Sequence, residues 1–409
     1  MLRARVCLTL AAVVGCATRT VEPPPRLQPP AALAVPAQVP ASPPAAAPSV
    51  ARAEPSEALR VEPFELRSAL LSEFAGTDVE IEAMVMTPPN FDPDHGYAVH
   101  YVVHGFGGGR KSSAVRYAMK LQSRVDAGTA PPMLRVFLDA NHRLGHHVFA
   151  DSANTGPWGT ALVQEFLPAI EARYGAIADP RARFVSGHSS GGWASLWLQV
   201  RYPEAFGGVW STAPDPVDFR DFTGIDLYAF DDMYRDPKGN PVQLVHKGGK
   251  PVLSFEDYTR SEIQRQPIGG QIYSFDAVFS PRNDDGQPRP VFDRDTGRID
   301  HDVVEAWKAY DIRLRLREQW PTLAPKLAGK LHIVVGSQDT FGLHRAVILL
   351  KAELEALGSD AEVVVVEGRD HSDLFEPHPQ LYPEGLLTRI EDEMWASFAA
   401  SGLRDRAPE

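Results

Sequence analysis

Residues 183–198 read RFVSGHSSGGWASLWL. An apolar run breaks into Gly-His-Ser-Ser-Gly-Gly and then resumes as WASLWLQVRY, a helical stretch stopped by Pro203. Gly187 to Gly191 fit G-x-S-x-G, and the register selects Ser189, with His188 and Ser190 in the two open positions. A turn this tight needs small residues on both sides of a serine held in a strained backbone conformation, and it needs a strand before and a helix after. Both flanks are present. The stretch therefore predicts a nucleophile elbow, the competing reading being a flexible glycine turn with no chemistry.

A serine hydroxyl needs a base to take its proton. In this architecture the chain order is Ser, then Asp or Glu, then His, the last two on loops after later strands. LHIVVG (331–336) leads into SQDTFG, which puts Asp339 just past a strand end, and AEVVVVEG (361–368) leads into RDHSDLF, which puts His371 just past the next. Other candidates compete. Asp215 follows the strand GGVWST (207–212) and is an alternative acid; Asp370, adjacent to His371, reads as a solvated loop acid. His188 is expected to pack or hydrogen-bond locally. His142, His146 and His147 match no compact zinc spacing, so they read as a solvated or cleft-lining loop, and no metal site is expected.

Acyl transfer also requires donors aimed at the developing oxyanion. The backbone N–H of Ser190, at the start of the elbow helix, is one, because the first amides of a helix lack partners. The loop HGFGGG (104–109) follows an early strand, and its glycines allow close approach; the second donor is assigned to the N–H of Phe106. Trp158 and Trp193 are candidate pocket residues, with burial in the core as the alternative.

Apolar runs at 79–86, 98–105, 133–140, 182–187, 207–212, 331–336 and 361–368 alternate with amphipathic stretches such as 160–174 and 344–358. Near-continuous Val/Ile/Leu runs mark strands covered on both faces. The expected fold is α/β, a mostly parallel central sheet with helices on both faces. The segment 215–325 interrupts this rhythm with Asp, Gly, Pro and aromatic residues, and is expected to be a structured insertion and a candidate lid. Within it, FDRDTGRID (292–300) misplaces its glycine for a calcium loop and reads as a turn before the helix HDVVEAWKAYDIRLRL.

The chain has 409 residues and a formal charge of −12, which argues against a nucleic-acid partner. MLRARVCLTLAAVVGC opens with arginines and a short apolar core and closes on VVGC at 13–16, which resembles a bacterial lipobox. Residues 1–15 are thus expected to be a signal peptide and Cys16 the lipidated residue. Residues 16–60, rich in Ala and Pro, should form an extended tether. A domain over 61–405 would then be held at an extracytoplasmic membrane surface, in the periplasm or at the outer membrane.

HGFGGG, GHSSGGWASLWLQVRYPEAFGGVWSTAPD and the Asp339 and His371 loops together resemble the putative-esterase family of the α/β-hydrolase superfamily, which includes feruloyl and acetyl esterases, enterochelin esterase, S-formylglutathione hydrolase and the mycolyltransferases. The resemblance implies an α/β-hydrolase fold and a serine esterase with no cofactor. It further implies Ser189 as nucleophile, His371 as base, Asp339 as orienting acid and Phe106 and Ser190 as oxyanion donors, acting on a small-molecule or saccharide ester. Acyl transfer to a sugar or lipid alcohol and a non-catalytic binding module are the alternatives.

Overall fold

The computed structural model describes residues 50–403, which lie in one compact unit. The signal segment, Cys16 and the tether up to residue 49 lie outside the described residues. Eight strands form the central sheet: β1 (Arg60–Arg67), β2 (Glu80–Thr87), β3 (Val99–Val103), β4 (Leu134–Leu138), β5 (Arg183–His188), β6 (Gly208–Thr212), β7 (Leu331–Gly336) and β8 (Glu362–Val366). Their order is β1-β2-β4-β3-β5-β6-β7-β8. The pairings β1–β2 and β2–β4 are antiparallel and the other five are parallel.

The sheet is covered on two faces, as continuous apolar strands require. Neighbouring residues alternate between two cores. Val85, Val136 and Leu138 enter the larger one, whereas Met86 and Phe137 meet Tyr117 and Leu121 of the helix Arg110–Asp126 and Leu387 of the helix Leu386–Ala400. That second face also buries a polar chain. Arg135 of β4 donates to Glu391 at 2.5 Å, Tyr117 donates to the same carboxylate at 2.7 Å, and His100 of β3 contacts Tyr117 at 3.1 Å and Ser186 of β5 at 2.6 Å. Burial works to raise the Glu391 pKa, yet the Arg135 charge and its hydrogen bonds hold it below the ordinary range.

The folded region begins before residue 60. Ala53 N–H bonds Arg173 C=O at 2.9 Å, Ser56 pairs with Phe91, and β1 then runs along the sheet edge with Phe64 as its one buried residue. The stretch read as a helix over 160–174 runs from Trp158 to Tyr174, with a wide turn at Leu162–Phe166 where the Leu167 N–H reaches back to Leu162 C=O. Pro168 follows at once; its ring and missing N–H disfavour a regular α-turn there. The helix expected from HDVVEAWKAYDIRLRL divides at Asp311, whose carboxylate accepts from Leu314 N–H and caps a second helix, Ile312–Leu327, after His301–Trp307.

The insertion carries a hairpin (Gln243–Lys247 with Lys250–Ser254) and the helices Phe255–Arg265, Gln271–Phe279 and His301–Trp307. It is joined to the rest by aromatic packing. Trp193 and Trp197 of the elbow helix stack at 5.3 Å, and Phe279 sits 5.1 Å from Trp193, 5.3 Å from Trp307 and 5.0 Å from Tyr310.

Replacing Glu391 with Gln strands the Arg135 guanidinium in a buried site without its counter-charge, and the expected loss is about 3–5 kcal/mol of unfolding free energy. Urea titration of Glu391→Gln against the parent chain measures it; a shift below about 1 kcal/mol would contradict the structural weight given to the pair.

Candidate active site

β5 ends at His188, and Ser189 turns the chain into the helix Ser190–Arg201 with φ 61° and ψ −125°, a region that L-residues rarely occupy. The glycines on either side explain how the turn closes. A Cβ on Gly187 would stand 2.0 Å from Gly191 O, and one on Gly191 would stand 2.1 Å from Val103 O and 2.6 Å from His104 O. Gly192 is pressed against Thr212 O in the same way, at 2.6 Å. The elbow is thus wedged between the ends of β3 and β6, and Ser189 N–H is held by Thr212 C=O at 3.0 Å.

Asp339 lies on the loop after β7 and His371 on the loop after β8, and the two meet: His371 Nδ1 stands 2.7 Å from Asp339 Oδ2. The other carboxylate oxygen of Asp339 accepts the N–H groups of Phe341 at 2.9 Å and Leu343 at 3.1 Å. Burial alone would raise the pKa of this carboxyl; the His371 hydrogen bond and charge and the two amides outweigh it and hold it below the usual range. His188, the open position of the elbow, backs this arrangement. Its ring lies 4.4 Å from that of His371 and 5.3 Å from Phe375, with Nδ1 3.2 Å from Thr212 Oγ1. Burial, followed by the neighbouring His371, pushes the pKa of His188 down to about 3, so it packs as a neutral ring.

Ser189 Oγ faces Asp215 at 3.5 Å, and Ser190 Oγ donates to the same carboxylate at 2.5 Å. Asp215 therefore contacts the serines and leaves the His371 imidazole to Asp339. Burial raises the Asp215 carboxyl to about 6 against the pull of the Ser190 hydrogen bond and His371. Asp370 is not simply solvated: its side chain accepts from Ser372 and Asp373 N–H and shapes the His371 loop.

The HGFGGG loop crosses directly over the elbow. A Cβ on Gly105 would lie 3.2 Å from Ser189 Cβ and 3.8 Å from Ser189 Oγ, and Gly108 N–H closes the turn onto Gly105 C=O at 3.0 Å. The next amide along is that of Phe106. Among the described residues, the N–H groups of Phe106 and Ser190 have no acceptor within the chain.

Other expectations fare differently. Trp193 is buried in the aromatic stack, and Trp158 stacks on His147 at 3.8 Å while donating to Thr155 C=O at 2.8 Å. Both are core residues, which corrects their reading as pocket walls. His146 and His147 are likewise buried instead of solvated: His146 Nε2 bonds His104 C=O at 2.8 Å and so fixes the loop above the elbow. A pocket lined by Phe222, Phe255, Tyr258, Phe275 and Phe341 also has Asp215 in its wall. Four of those five aromatics belong to the insertion, where no sequence pattern singles them out. Among the described residues, groups spaced to ligate a metal are His332–Glu362–Glu393 and Glu65–Glu80–Glu82, none of which belongs to this constellation.

The chain matches the family described as "Putative esterase" over residues 75–372. The chain belongs to that family. It is an enzyme of the serine hydrolase, carboxylic ester hydrolase, kind, on the α/β-hydrolase fold. Solved structures similar to it include a ferulic acid esterase (17% identity, TM-score 0.47, 84% of this chain and 98% of the other). An S-formylglutathione hydrolase from Agrobacterium tumefaciens is similar at 14% identity and TM-score 0.46, over 86% and 99% of the two chains. The fluorophosphonate-binding serine hydrolase F of Staphylococcus aureus is similar at 11% and 0.49, over 83% and 99%. No curated protein matches the chain in sequence.

Gly191→Ala drives a methyl group into two backbone carbonyls that cannot withdraw, so the elbow must open. The expected outcome is loss of esterase activity with a thermal midpoint lowered by several degrees; a variant with parental activity and midpoint would show that the wedge is not required.

Proposed function

We propose that the enzyme hydrolyses carboxylic esters by nucleophilic catalysis, with Ser189, His371 and Asp339 as its triad. The observation that carries this reading is the 2.7 Å contact of His371 Nδ1 with an ionised, amide-braced Asp339 beside a serine held at positive φ. With Nδ1 committed to Asp339, Nε2 is the nitrogen left to take a proton. In the resting geometry Ser189 Oγ leans on Asp215, and catalytic hydrogen bonds commonly tighten only with substrate bound.

Attack of Ser189 on the ester carbonyl transfers its proton to His371, and Asp339 stabilises the imidazolium. The N–H groups of Phe106 and Ser190 receive the oxyanion. His371 then protonates the leaving alcohol, and water, activated by the same nitrogen, releases the acyl group from Ser189.

The triad is tested on p-nitrophenyl acetate. Ser189→Ala is expected to abolish acyl-enzyme turnover and leave only the residual rate that binding and the oxyanion donors supply, while Asp339→Asn costs about 10⁴-fold by allowing the wrong imidazole tautomer. A mass increase of one acetyl group on Ser189 in a quenched reaction would identify the covalent intermediate. Equal turnover by Ser189→Ala and the parent would refute the assignment.

We also propose that lipid attached at Cys16 anchors the enzyme outside the cytoplasm, a reading supported by the charged and apolar run that leads into VVGC. Cys16→Ser is expected to move the protein from the membrane fraction to the soluble fraction, and an unmodified mature terminus starting elsewhere would overturn the anchor.

A further inference from the structure

Asp215 is 4% exposed, yet among the described residues its carboxylate has no cationic partner. Its bonds are to the hydroxyls of Ser189 and Ser190, which use two of about four acceptor sites. Among the described residues no Lys, Arg or His nitrogen lies within ion-pairing distance of it; the basic group whose charge it feels is His371, already committed to Asp339. Buried carboxylates are normally paired, and leaving one unpaired is costly. The space it faces supplies no counter-charge either, because no Lys, Arg or His is among the residues that line it, five of which are Phe222, Phe255, Tyr258, Phe275 and Phe341. What the site lacks is a cation, and aromatic faces are favourable surroundings for one.

Size and reach narrow the cation. The cavity is about 30 Å3, room for a group the size of one or two water molecules and too small for a trimethylammonium head. The carboxylate is 3.5 Å from Ser189 Oγ, and a bound ester places its carbonyl carbon about 3–3.5 Å from that same oxygen. A nitrogen on the carbon next to the carbonyl is about 2.5 Å from the carbonyl carbon, and one hydrogen bond more spans about 5 Å in total, within the reach these distances allow.

We propose that the esters this enzyme prefers are α-aminoacyl esters, whose primary ammonium group is received by Asp215 in the wall of the aromatic pocket. The proposal rests on Ser189 as the nucleophile. It makes Asp215 a specificity residue that reads charge on the acyl side, and it explains why an acid placed like an alternative triad member contacts serines instead of histidine.

The test compares alanyl and isobutyryl ethyl esters, which differ by an ammonium in place of a methyl group, each rate being divided by that ester's rate of hydroxide hydrolysis. For the parent enzyme the expected preference in kcat/KM is on the order of 10- to 100-fold for the alanyl ester, as for a charge-assisted hydrogen bond in a dry site. Asp215→Asn is expected to bring the ratio near one, and because the quantity is a ratio, a general loss of activity in the variant cancels. Should Asp215→Asn fail to fold, the pH profile of the parent's ratio substitutes. The groups facing Asp215 are His371, Asp339 and Tyr258, and the carboxyl itself titrates near about 6. The preference should therefore fall below that pH, and fall again above about 8 as an α-amine loses its proton. Absence of preference in the parent, a preference unchanged in Asp215→Asn, or a preference shown only by 2-aminoethyl isobutyrate, with its cation on the alcohol side, would each overturn the proposal. Hydrolysis of the isobutyryl ester that disappears in Ser189→Ala would leave the esterase reading standing in every one of those cases.

Discussion

The site depends on how closely four backbone segments approach one another around Gly187 and Gly191. With no side chain at either position, the elbow closes on itself, and its first helical turn lies against the carbonyls at the end of β3. Any Cβ there would hold the segments apart by an ångström or more. That contact sets the height of Ser189 above the sheet, brings the Gly105–Phe106 peptide over its hydroxyl, and leaves the first amides of the elbow helix unpartnered. Positive φ at Ser189 is a local cost of this geometry, sustained by the packed sheet on either side.

Two carboxylates share the neighbourhood and are driven in opposite directions. Asp339 is buried, but it receives the His371 ring and two amides, so its charged form is favoured. Asp215 is also buried and receives only hydroxyls, so its charged form is disfavoured. The His371 contact and the loop amides together separate them. The acid after β7 sits where the following turn points amides back at it, as a helix-entry loop does; the acid after β6 lines a pocket of largely aromatic carbon. Of two aspartates at the ends of neighbouring strands, the amide-braced one is held ionised and the hydroxyl-bonded one is driven toward its neutral form.

Much of this could be read along the chain, because it is set by local pattern. Seven of the eight sheet strands stand out as apolar runs, and the elbow, the Asp339 loop and the His371 loop are each marked by a strand end followed by small or polar residues. β1 escaped notice because it is an edge strand with a proline at Pro63 and a single buried side chain, so it carries neither a continuous apolar run nor a clean alternation. The division at Asp311 was hidden for a related reason. An aspartate inside an amphipathic stretch reads as solvent-facing until Phe219 N–H and the Tyr228 hydroxyl, distant in sequence, are found to close on it. Burial of His146, His147, Trp158 and Trp193 likewise depends on partners brought by the fold.

The insertion is the part whose meaning lies wholly in tertiary contact. Its aromatic residues do two jobs that no spacing distinguishes. Phe279 and Trp307 extend the Trp193–Trp197 stack and so make the insertion an extension of the main core, whereas Phe222, Phe255, Tyr258 and Phe275 line the cavity that Asp215 also lines. Because the first set is anchored to the elbow helix itself, the walls supplied by the second are fixed relative to Ser189. The walls of that cavity are thus side chains outside the Gly187–Gly191 motif.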